Sequence, residues 1–196
     1  MNQSLQELLN ELEAFGQGND QANPERSRRM LNITRDTGEF LSVMVQAIHA
    51  RRVLEIGTSN GYSTLWLAQA AQAINGHVTT VELSESKIDM AAGNFDRSGL
   101  AGAITQVSGD AANLLEAESD SSFDLIFLDS ERNEYPGWWP NIRRILRPGG
   151  LLVADNALSH ADEIAPFIGI VSEDPAFSTC TVPVGKGEFL AYQAYR

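Results

Sequence analysis

The fold of this chain is decided by one stretch, Val53-Leu54-Glu55-Ile56-Gly57-Thr58-Ser59-Asn60-Gly61-Tyr62-Ser63. An apolar run with a single carboxylate stops at a glycine, and an apolar helical pattern resumes after a second glycine. This pattern predicts a buried strand, a tight loop, and a helix that begins near Tyr62 or Ser63. Such a loop presents backbone N–H groups and a helix N-terminus to a ligand. On its own it is either a nucleotide-type site or an ordinary turn between a strand and a helix.

Length and charge narrow the class of protein. The 196 residues, of net charge −12, are typical of one domain, so we expect a single domain over 1–196. An acidic chain lacks the basic face that grips phosphates, so we expect no nucleic acid partner. No apolar run approaches the roughly 20 residues that span a bilayer and no signal-peptide pattern is present, so we expect no membrane partner. The single cysteine, Cys180, suits a reducing cytosol, and we expect it to be a small apolar filler on a strand.

Short apolar strands alternate with helical patterns along the chain. Strands are predicted at 52–57, 76–82, 104–107, 123–129 and 151–155. Helices are predicted at 4–15, from Tyr62, from Ser84 to Arg97 and at 138–146, where the terminator 147–150 ends the last one. A further helix is predicted after the capping pattern at Asp36 and Glu39. Residues 16–24 are predicted to form a loop. The alternation predicts an α/β fold with a doubly wound, mostly parallel sheet and helices on both faces. Segments 177–184 and 188–195, on either side of Gly185-Lys186-Gly187, predict a C-terminal antiparallel hairpin.

An arginine cluster precedes the second helix. Arg26, Arg28 and Arg29 lie within seven residues of an otherwise acidic protein. They form either a solvated face, which we favour, or a contact for an acidic substrate or partner.

Acidic and amide residues end successive predicted strands, namely Glu55, Glu82, Asp110, Asp129 and Asp155-Asn156. Ligands of open α/β sheets bind beyond these strand ends, where carboxylates do not help the sheet to fold. Glu82, at the end of the second strand, suits the hydroxyls of a ribose. Because the loop is G-x-x-x-G and not G-x-G-x-x-G, S-adenosylmethionine fits better than a dinucleotide.

The motifs together resemble a known family. The segment 54–63 is similar to motif I of class I S-adenosylmethionine-dependent methyltransferases, and more narrowly to the cation-dependent O-methyltransferases, such as the catechol and caffeoyl-coenzyme-A enzymes. The resemblance continues through 81–82, 109–111, 123–129, 146–150, 155–156 and 183–187 and covers residues 28–195. It implies a Rossmann-like methyltransferase sheet, with 1–35 as a helical arm or lid and 36–196 as the core. It also implies a homodimer.

The resemblance also implies the cofactor site. Glu55, Gly57, Tyr62 and Ser63 would border the methionyl end of S-adenosylmethionine, Glu82 would hold the ribose, and Asp110 with Ala111 would flank the adenine. The whole expected set is Glu55, Gly57, Thr58, Ser59, Gly61, Tyr62, Ser63, Glu82, Leu83, Gly109, Asp110, Ala111 and Asp129.

Three residues match the family's metal ligands: Asp129, Asp155 and Asn156. Three oxygen ligands without sulfur or imidazole suit a hard divalent cation such as Mg²⁺, Mn²⁺ or Ca²⁺. The metal would chelate substrate oxygens and lower the pKa of a hydroxyl. The alternative is that Asp129 and Asp155 only cap the segments that follow them.

Two departures from the family concern the catalytic group, for which we expect Asp129, Arg132 and His160. Arg132 occupies the usual place of a lysine base, and a guanidinium stays protonated, so it would hold an oxyanion or carboxylate instead. Deprotonation would then fall to the metal, to Glu131 or Glu134, or to water. The second departure is Ser159-His160 where the family often has a tryptophan, which predicts a wider pocket, with His160 as a base or a bystander. For Trp138 and Trp139 in the following helix, packing is favoured over substrate stacking.

Three hypotheses follow. The first is a metal-assisted transfer of a methyl group to a small hydroxylated, aromatic, catechol-like acceptor. The second is a metal-independent methyltransferase with a shifted substrate. The third is a cofactor-binding protein that has lost catalysis.

Overall fold

The centre of the molecule is a seven-stranded sheet, seen in a computed structural model that describes residues 3–195. The strands are β1 Arg52–Ile56, β2 His77–Glu82, β3 Ile104–Ser108, β4 Phe123–Leu128, β5 Leu146–Ala154, β6 Phe177–Val182 and β7 Glu188–Gln193. Their order is β3-β2-β1-β4-β5-β7-β6; β1 to β5 are parallel, and β7 is antiparallel to β5 and β6. The predicted fold class is therefore confirmed, including the C-terminal hairpin.

Helices cover both faces of this sheet. They are α1 Gln3–Ala22, α2 Arg35–Ala47, α3 Tyr62–Gln72, α4 Glu85–Ser98, α5 Ala111–Ala117, α6 Tyr135–Ile145 and α7 Ala161–Glu173. One apolar cluster joins α1 to α4 to one face, and a second joins α5 to α7 to the other. Every residue of β4 is buried, as expected for a central parallel strand covered on both sides.

The loop between β1 and α3 has the predicted form. Gly61 caps α3 in the left-handed region at φ 85°, and the helix begins at Tyr62 as predicted. Gly57 has φ 105°, and a Cβ there would collide with the carbonyl oxygen of Asp129 at the end of β4. Glycine is required because the ends of β1 and β4 approach each other at this point.

The first helix is longer than predicted. The loop predicted at 16–24 is wrong for residues 16–22, because α1 continues through Gly16 and Gly18 to Ala22. The side chain of Asn32 lies against Gly16, and its Nδ2 donates to the carbonyl oxygen of Leu12 at 3.1 Å. This tertiary contact offsets the low helix propensity of glycine.

The second helix is capped by a different residue from the one predicted. Thr34 is the N-cap, and its hydroxyl accepts from the Thr37 N–H. Asp36 lies in the first turn, where its Oδ2 accepts from the Gly185 N–H at 3.0 Å. The carboxylate therefore binds the tip of the distant hairpin, which a local capping pattern does not reveal.

Other boundaries also differ from the predictions. The helix predicted at 138–146 begins at Tyr135, and residues 147–150 end it but already belong to β5, which pairs irregularly with β4 between Phe123 and Leu125. The helices α5 and α7 were not predicted. Cys180 does lie on a strand, but β6 is the edge strand and the thiol is exposed, so the expectation of an apolar filler is wrong.

A membrane-spanning helix is absent from residues 3–195, where no helix combines the necessary length and apolar character.

Candidate active site

A cavity of about 640 Å³ opens at the carboxyl ends of the parallel strands. Most of the residues expected at a site line it: Gly57, Thr58, Ser59, Tyr62, Ser63, Glu82, Leu83, Gly109, Asp110, Ala111, Asp129, Arg132, Asn156 and His160. Glu55, Gly61 and Asp155 do not line it, although each is next in sequence to a residue that does. The cavity is therefore bordered by residues at the carboxyl ends of all five parallel strands and by the glycine loop.

The glycine loop is held in a strained conformation. Ser59 has φ 48°, and its hydroxyl donates to the carbonyl oxygen of Met30 at 2.7 Å, which joins the loop to the segment after α1. Leu31, which also lines the cavity, has φ 54° because both oxygens of Asp20 accept from the backbone N–H groups of Met30 and Leu31. Non-glycine residues with φ in the left-handed region are concentrated at functional sites.

Glu82 is fixed by three backbone N–H groups. Its Oε2 accepts from Ser59 at 2.8 Å, and its Oε1 accepts from Leu83 and Ser84, both at 3.0 Å. The carboxylate thereby joins the end of β2 to the glycine loop while lining the cavity. Its remaining lone pairs are available to a ligand with hydroxyl groups.

The predicted adenine-flanking residues have a structural task as well. Asp110 is the N-cap of α5, and its Oδ1 accepts from the Ala112 N–H at 2.8 Å. Gly109 precedes it with φ 147°, and its N–H donates to the carbonyl oxygen of Glu82 at 2.9 Å. The ends of β2 and β3 are thus joined along the cavity wall.

Glu55 lies behind the glycine loop and not at the cavity surface. Its Oε2 accepts from the Thr80 hydroxyl at 2.6 Å and from the Thr64 hydroxyl. Burial raises the pKa of Glu55 to about 7, although hydrogen bonds from Ser63, Thr64 and Thr80 oppose this. The residue therefore connects β1, β2 and α3.

The three expected metal ligands converge. Asn156 Nδ2 donates to Asp155 Oδ2 at 2.7 Å and lies 3.4 Å from Asp129 Oδ1. Burial raises the pKa of Asp129 well above its usual value, and the charge of Asp155 adds to this effect. No trio of histidine, cysteine, aspartate or glutamate side chains suited to a metal is found in the described part of the chain. The trio still fits a hard cation chemically, since two carboxylates and an amide group meet here and can supply oxygen ligands.

Sequence reasoning missed Glu188, which is fully buried beside Asp155. Its Oε1 accepts from the Thr37 hydroxyl at 2.9 Å, and its Oε2 has no hydrogen-bond donor within the described chain. Burial, followed by the charge of Asp155, raises the pKa of Glu188 to about 9. The raised pKa favours the protonated carboxyl, whose O–H can donate to Asp155. The approach of β7 to β5 creates this pair, so no local motif indicates it.

Arg132 is committed to an ion pair. Its Nε and Nη2 lie 2.9 and 2.8 Å from the same Glu163 oxygen on α7, and the Arg132 side chain is only 5% exposed. Arg132 also lines the cavity, but its positive charge is paired with the Glu163 carboxylate.

Sequence reasoning also missed Lys186 as a site residue. It lines the cavity from the tip of the β6–β7 hairpin, and its positive charge opposes the raised pKa values of Asp129 and Asp155. The sequence pattern at Gly185-Lys186-Gly187 predicts only a turn and a family motif.

The remaining candidates lie at the rim. His160 lines the cavity, with its Nδ1 2.9 Å from the Ser159 hydroxyl. Trp139 packs against Phe167 and Phe177 in the core, as favoured. Trp138, in contrast, lines the cavity beside Tyr135, so packing alone does not describe it.

The arginine cluster divides in two. Arg26 lines the cavity, with Glu131 at 3.9 Å, whereas Arg28 and Arg29 pair with Glu25 and with backbone carbonyl oxygens.

Comparison with known families identifies the group to which this arrangement belongs. A model of the O-methyltransferase family matches residues 3–194. The chain belongs to the O-methyltransferase family. The family inferred from the sequence motifs is therefore confirmed, and the match also includes the N-terminal arm, which the sequence resemblance covered only from residue 28.

Individual relatives agree with this placement. The chain is 34% identical over 131 residues to a catechol O-methyltransferase of Niastella koreensis, covering 65% of this chain and 59% of the relative. It is 36% identical over 126 residues to a catechol O-methyltransferase of Mycobacterium tuberculosis, covering 64% of this chain and 57% of the relative. The alignments thus span less than two thirds of these two relatives. A solved O-methyltransferase from Bacillus cereus in complex with SAH is 29% identical, with a TM-score of 0.80 over 98% of this chain and 91% of that one.

Proposed function

We propose that this member of the O-methyltransferase family transfers a methyl group from S-adenosylmethionine to a hydroxyl of a small, catechol-like acceptor, assisted by a divalent cation. One observation carries the proposal: the glycine loop, the fixed carboxylate of Glu82, and Asp129 with Asn156 border a single cavity, and Asp155 is hydrogen-bonded to Asn156. When bound, S-adenosylmethionine supplies an electrophilic methyl group.

The residues at one end of the cavity suit the methyl donor. Glu82 presents fixed acceptor oxygens at the end of β2, and Asp110 with Ala111 forms the wall at the end of β3. The glycines at 57 and 61 let a ligand approach the backbone of the loop. The Bacillus cereus relative in complex with SAH supports this choice of ligand.

The residues at the other end suit a hydroxylated acceptor. Asp129 and Asn156 line this part of the cavity, and Asp155 lies immediately behind them. A divalent cation held by these three side chains would lower the pKa of an acceptor hydroxyl. Trp138, beside Tyr135, supplies apolar surface for an aromatic ring. The names of the Niastella and Mycobacterium relatives support catechol as the first acceptor to test.

The rate of methyl transfer is raised chiefly by the relative placement of donor and acceptor. The cavity holds donor and acceptor sites next to each other, so that the acceptor oxygen can approach the methyl carbon in line with its bond to sulfur. Arg132 takes no proton in this scheme, since it remains protonated and paired with Glu163.

The proposal is tested by methyl transfer from S-adenosylmethionine to catechol and 3,4-dihydroxybenzoate, with and without EDTA. We expect turnover that EDTA abolishes and that added Mg²⁺ or Mn²⁺ restores. Turnover insensitive to EDTA would remove the metal from the proposal. Binding of S-adenosylhomocysteine (SAH) without turnover of either acceptor would favour a non-catalytic binding protein.

A single substitution tests the proposed metal site separately from the binding of the methyl donor. Asp155→Ala should abolish turnover while leaving the dissociation constant of SAH within about twofold, because Asp155 lies at the end of β5 beside Asn156 and not among the residues proposed to bind the donor at the ends of β2 and β3. Asp162→Ala, an exposed aspartate in the first turn of α7, is the matched control and should leave turnover unchanged. Turnover by D155A equal to that of the wild type would exclude the metal assignment.

A further inference from the structure

Lys186 differs from the two arginines of the cavity in making no ion pair. Arg132 pairs with Glu163, and Arg26 lies 3.9 Å from Glu131. Within the described residues, Lys186 makes neither an ion pair nor a side-chain hydrogen bond, although its charge acts on Asp129 and Asp155. The chain has only two lysines, Lys87 and Lys186, and both line this cavity.

The backbone fixes Lys186 in place. Its carbonyl oxygen accepts from the N–H groups of Leu158 and Ser159 at 3.1 and 3.0 Å. Gly185 and Gly187 flank it with φ values of 55° and 95°, which favour glycine.

Contacts on both sides of the tip leave no room for larger residues. A Cβ at position 185 would collide with the hydroxyls of Thr34 and Thr37, and one at position 187 would collide with Leu158. The tip is therefore clamped between the start of α2 and the turn after β5, which presents Lys186 to the cavity reproducibly.

The part of the cavity proposed to hold the acceptor is rich in carboxylic acids, so an unpaired cation there has a strong electrostatic effect. Asp129, Asp155, Glu131 and Glu134 are carboxylic acids in or beside this part of the cavity, and Glu188 lies behind it. An acceptor oxygen that becomes negative here is repelled by those of these groups that are ionised. His160 has its Nδ1 occupied by the Ser159 hydroxyl and lies at the rim.

We propose that Lys186 holds the negative oxygen of the acceptor through its ammonium group, as the cation that Arg132 is prevented from supplying. This inference rests on the proposed function, because it takes a hydroxyl as the reacting group. The reaction breaks the bond from sulfur to the methyl carbon and forms a bond from oxygen to that carbon. The hydroxyl proton leaves to water, the sulfur keeps the electron pair, and Lys186 retains its own protons.

Electrostatic holding is distinguished from proton acceptance by the variant that keeps the charge. Lys186→Met (K186M) removes the cation, whereas Lys186→Arg (K186R) keeps it and cannot act as a base. For catechol we expect kcat to fall about 10²-fold or more in K186M and to stay within about tenfold of the wild type in K186R. The dissociation constant of SAH should remain within about twofold in both. Arg97→Met, which removes a cation paired with Glu11 away from the cavity, should leave kcat unchanged.

A second measurement requires no turnover. The absorbance of 4-nitrocatechol reports its ionisation, so its apparent pKa can be titrated when it is bound to the protein with SAH and Mg²⁺. A cation close to the oxygen lowers this pKa by about 1–3 units. We expect K186M to raise the apparent pKa of the bound ligand by about one unit or more relative to the wild type, and K186R to restore it. Asp129, Asp155, Glu131, Glu134, Glu188, Arg132 and His160 are present in all three proteins, and K186R keeps the positive charge that acts on Asp129 and Asp155.

The outcomes separate this inference from the proposed function. If methyl transfer is absent but the bound nitrocatechol responds to Lys186 as expected, the proposed function fails and the role of Lys186 holds. The role of Lys186 is overturned if K186M retains kcat and the nitrocatechol pKa, if K186R is as inactive as K186M, or if the wild type does not bind nitrocatechol. It is also overturned if K186M loses SAH binding together with activity, because the lysine would then be structural.

Discussion

Arg132 and Glu163 form an ion pair in which two guanidinium nitrogens, Nε and Nη2, contact the same carboxylate oxygen at 2.9 and 2.8 Å. The arginine lies just before α6 and the glutamate lies in the first turn of α7, so the pair joins the two helices across the rim of the cavity. A residue that sequence comparison places among the catalytic groups is thereby engaged within the protein itself. Its contribution to stability and to catalysis can be separated by substitution.

Arg132→Met (R132M) should lower the melting temperature more than it lowers activity. We expect a fall in Tm of about 2–4 °C, because the substitution removes the link between α6 and α7 and leaves Glu163 unpaired. The kcat/KM for catechol should fall less than tenfold. Arg28→Met, which breaks the exposed pair with Glu25, is the control and should leave Tm within about 1 °C. An unchanged Tm with a hundredfold loss of kcat/KM would show instead that Arg132 acts on the acceptor.

Glu82→Gln (E82Q) should weaken the binding of SAH by more than tenfold. Three backbone N–H groups point at the carboxylate, and an amide has only one oxygen to offer them, so its NH₂ group must face a donor. The dissociation constant can be measured by calorimetry. Glu85→Gln, an exposed change in the first turn of α4, is the matched control. An SAH affinity within twofold of the wild type would exclude Glu82 from the donor site.

Gly57→Ala (G57A) should reduce SAH affinity at least tenfold and also destabilise the protein. The added methyl would collide with the carbonyl oxygen of Asp129, and φ 105° is unfavourable for alanine. Gly93→Ala lies on the exposed side of α4 with nothing within 4 Å, and it should stabilise the protein by about 0.5–1 kcal/mol. Urea denaturation of both variants tests whether G57A lowers the free energy of unfolding and Gly93→Ala raises it. A G57A protein as stable as the wild type would contradict the close approach of β1 and β4.

Glu55→Gln (E55Q) should change how stability depends on pH. The pKa of Glu55 is about 7 in the folded protein against 4.5 unfolded, so the folded state binds more protons between these values. The free energy of unfolding then falls as pH rises from about 4.5 to 7, and this contribution amounts to roughly 3 kcal/mol at most. E55Q lacks it, so the stability of E55Q relative to the wild type should increase from pH 5 to pH 8.

Urea denaturation at both pH values measures this difference. Glu116→Gln, an exposed glutamate of α5, serves as the control and should show no such trend. Parallel pH profiles for E55Q and the wild type would contradict a raised pKa for Glu55.

Local patterns in the sequence are sufficient to predict the sheet and the glycine loop that borders the proposed donor end of the cavity. The glycines at 57 and 61 mark the loop because their backbone angles demand glycine, and the loop and the start of α3 lie where predicted. The acids that end successive strands meet because parallel strands end at the same edge of a sheet. The roles assigned to these residues, the homodimer and the cytoplasmic location stay predictions.

Long-range contacts account for what the sequence did not reveal. Glu188 lies beside Asp155 only because β7 runs antiparallel to β5, and Lys186 reaches the cavity only because the hairpin tip meets α2. The pairing of Arg132 with Glu163 depends on the placement of α7, a helix that was not predicted. The continuation of α1 through Gly16 depends on a contact with Asn32. Each of these joins residues that no local window contains together.

The contact between Thr37 and Glu188 joins residues 151 positions apart and has a consequence for biosynthesis. While the ribosome has released only the first 180 residues, the nascent chain can possess the glycine loop, Glu82 and the trio of Asp129, Asp155 and Asn156. It still lacks the hairpin tip that carries Lys186 and covers Asp155. The acceptor end of the cavity is therefore completed only when β7 enters the sheet between β5 and β6. A chain that stops short of β7 carries every residue expected to bind the methyl donor but lacks the hairpin tip that presents Lys186 to the cavity.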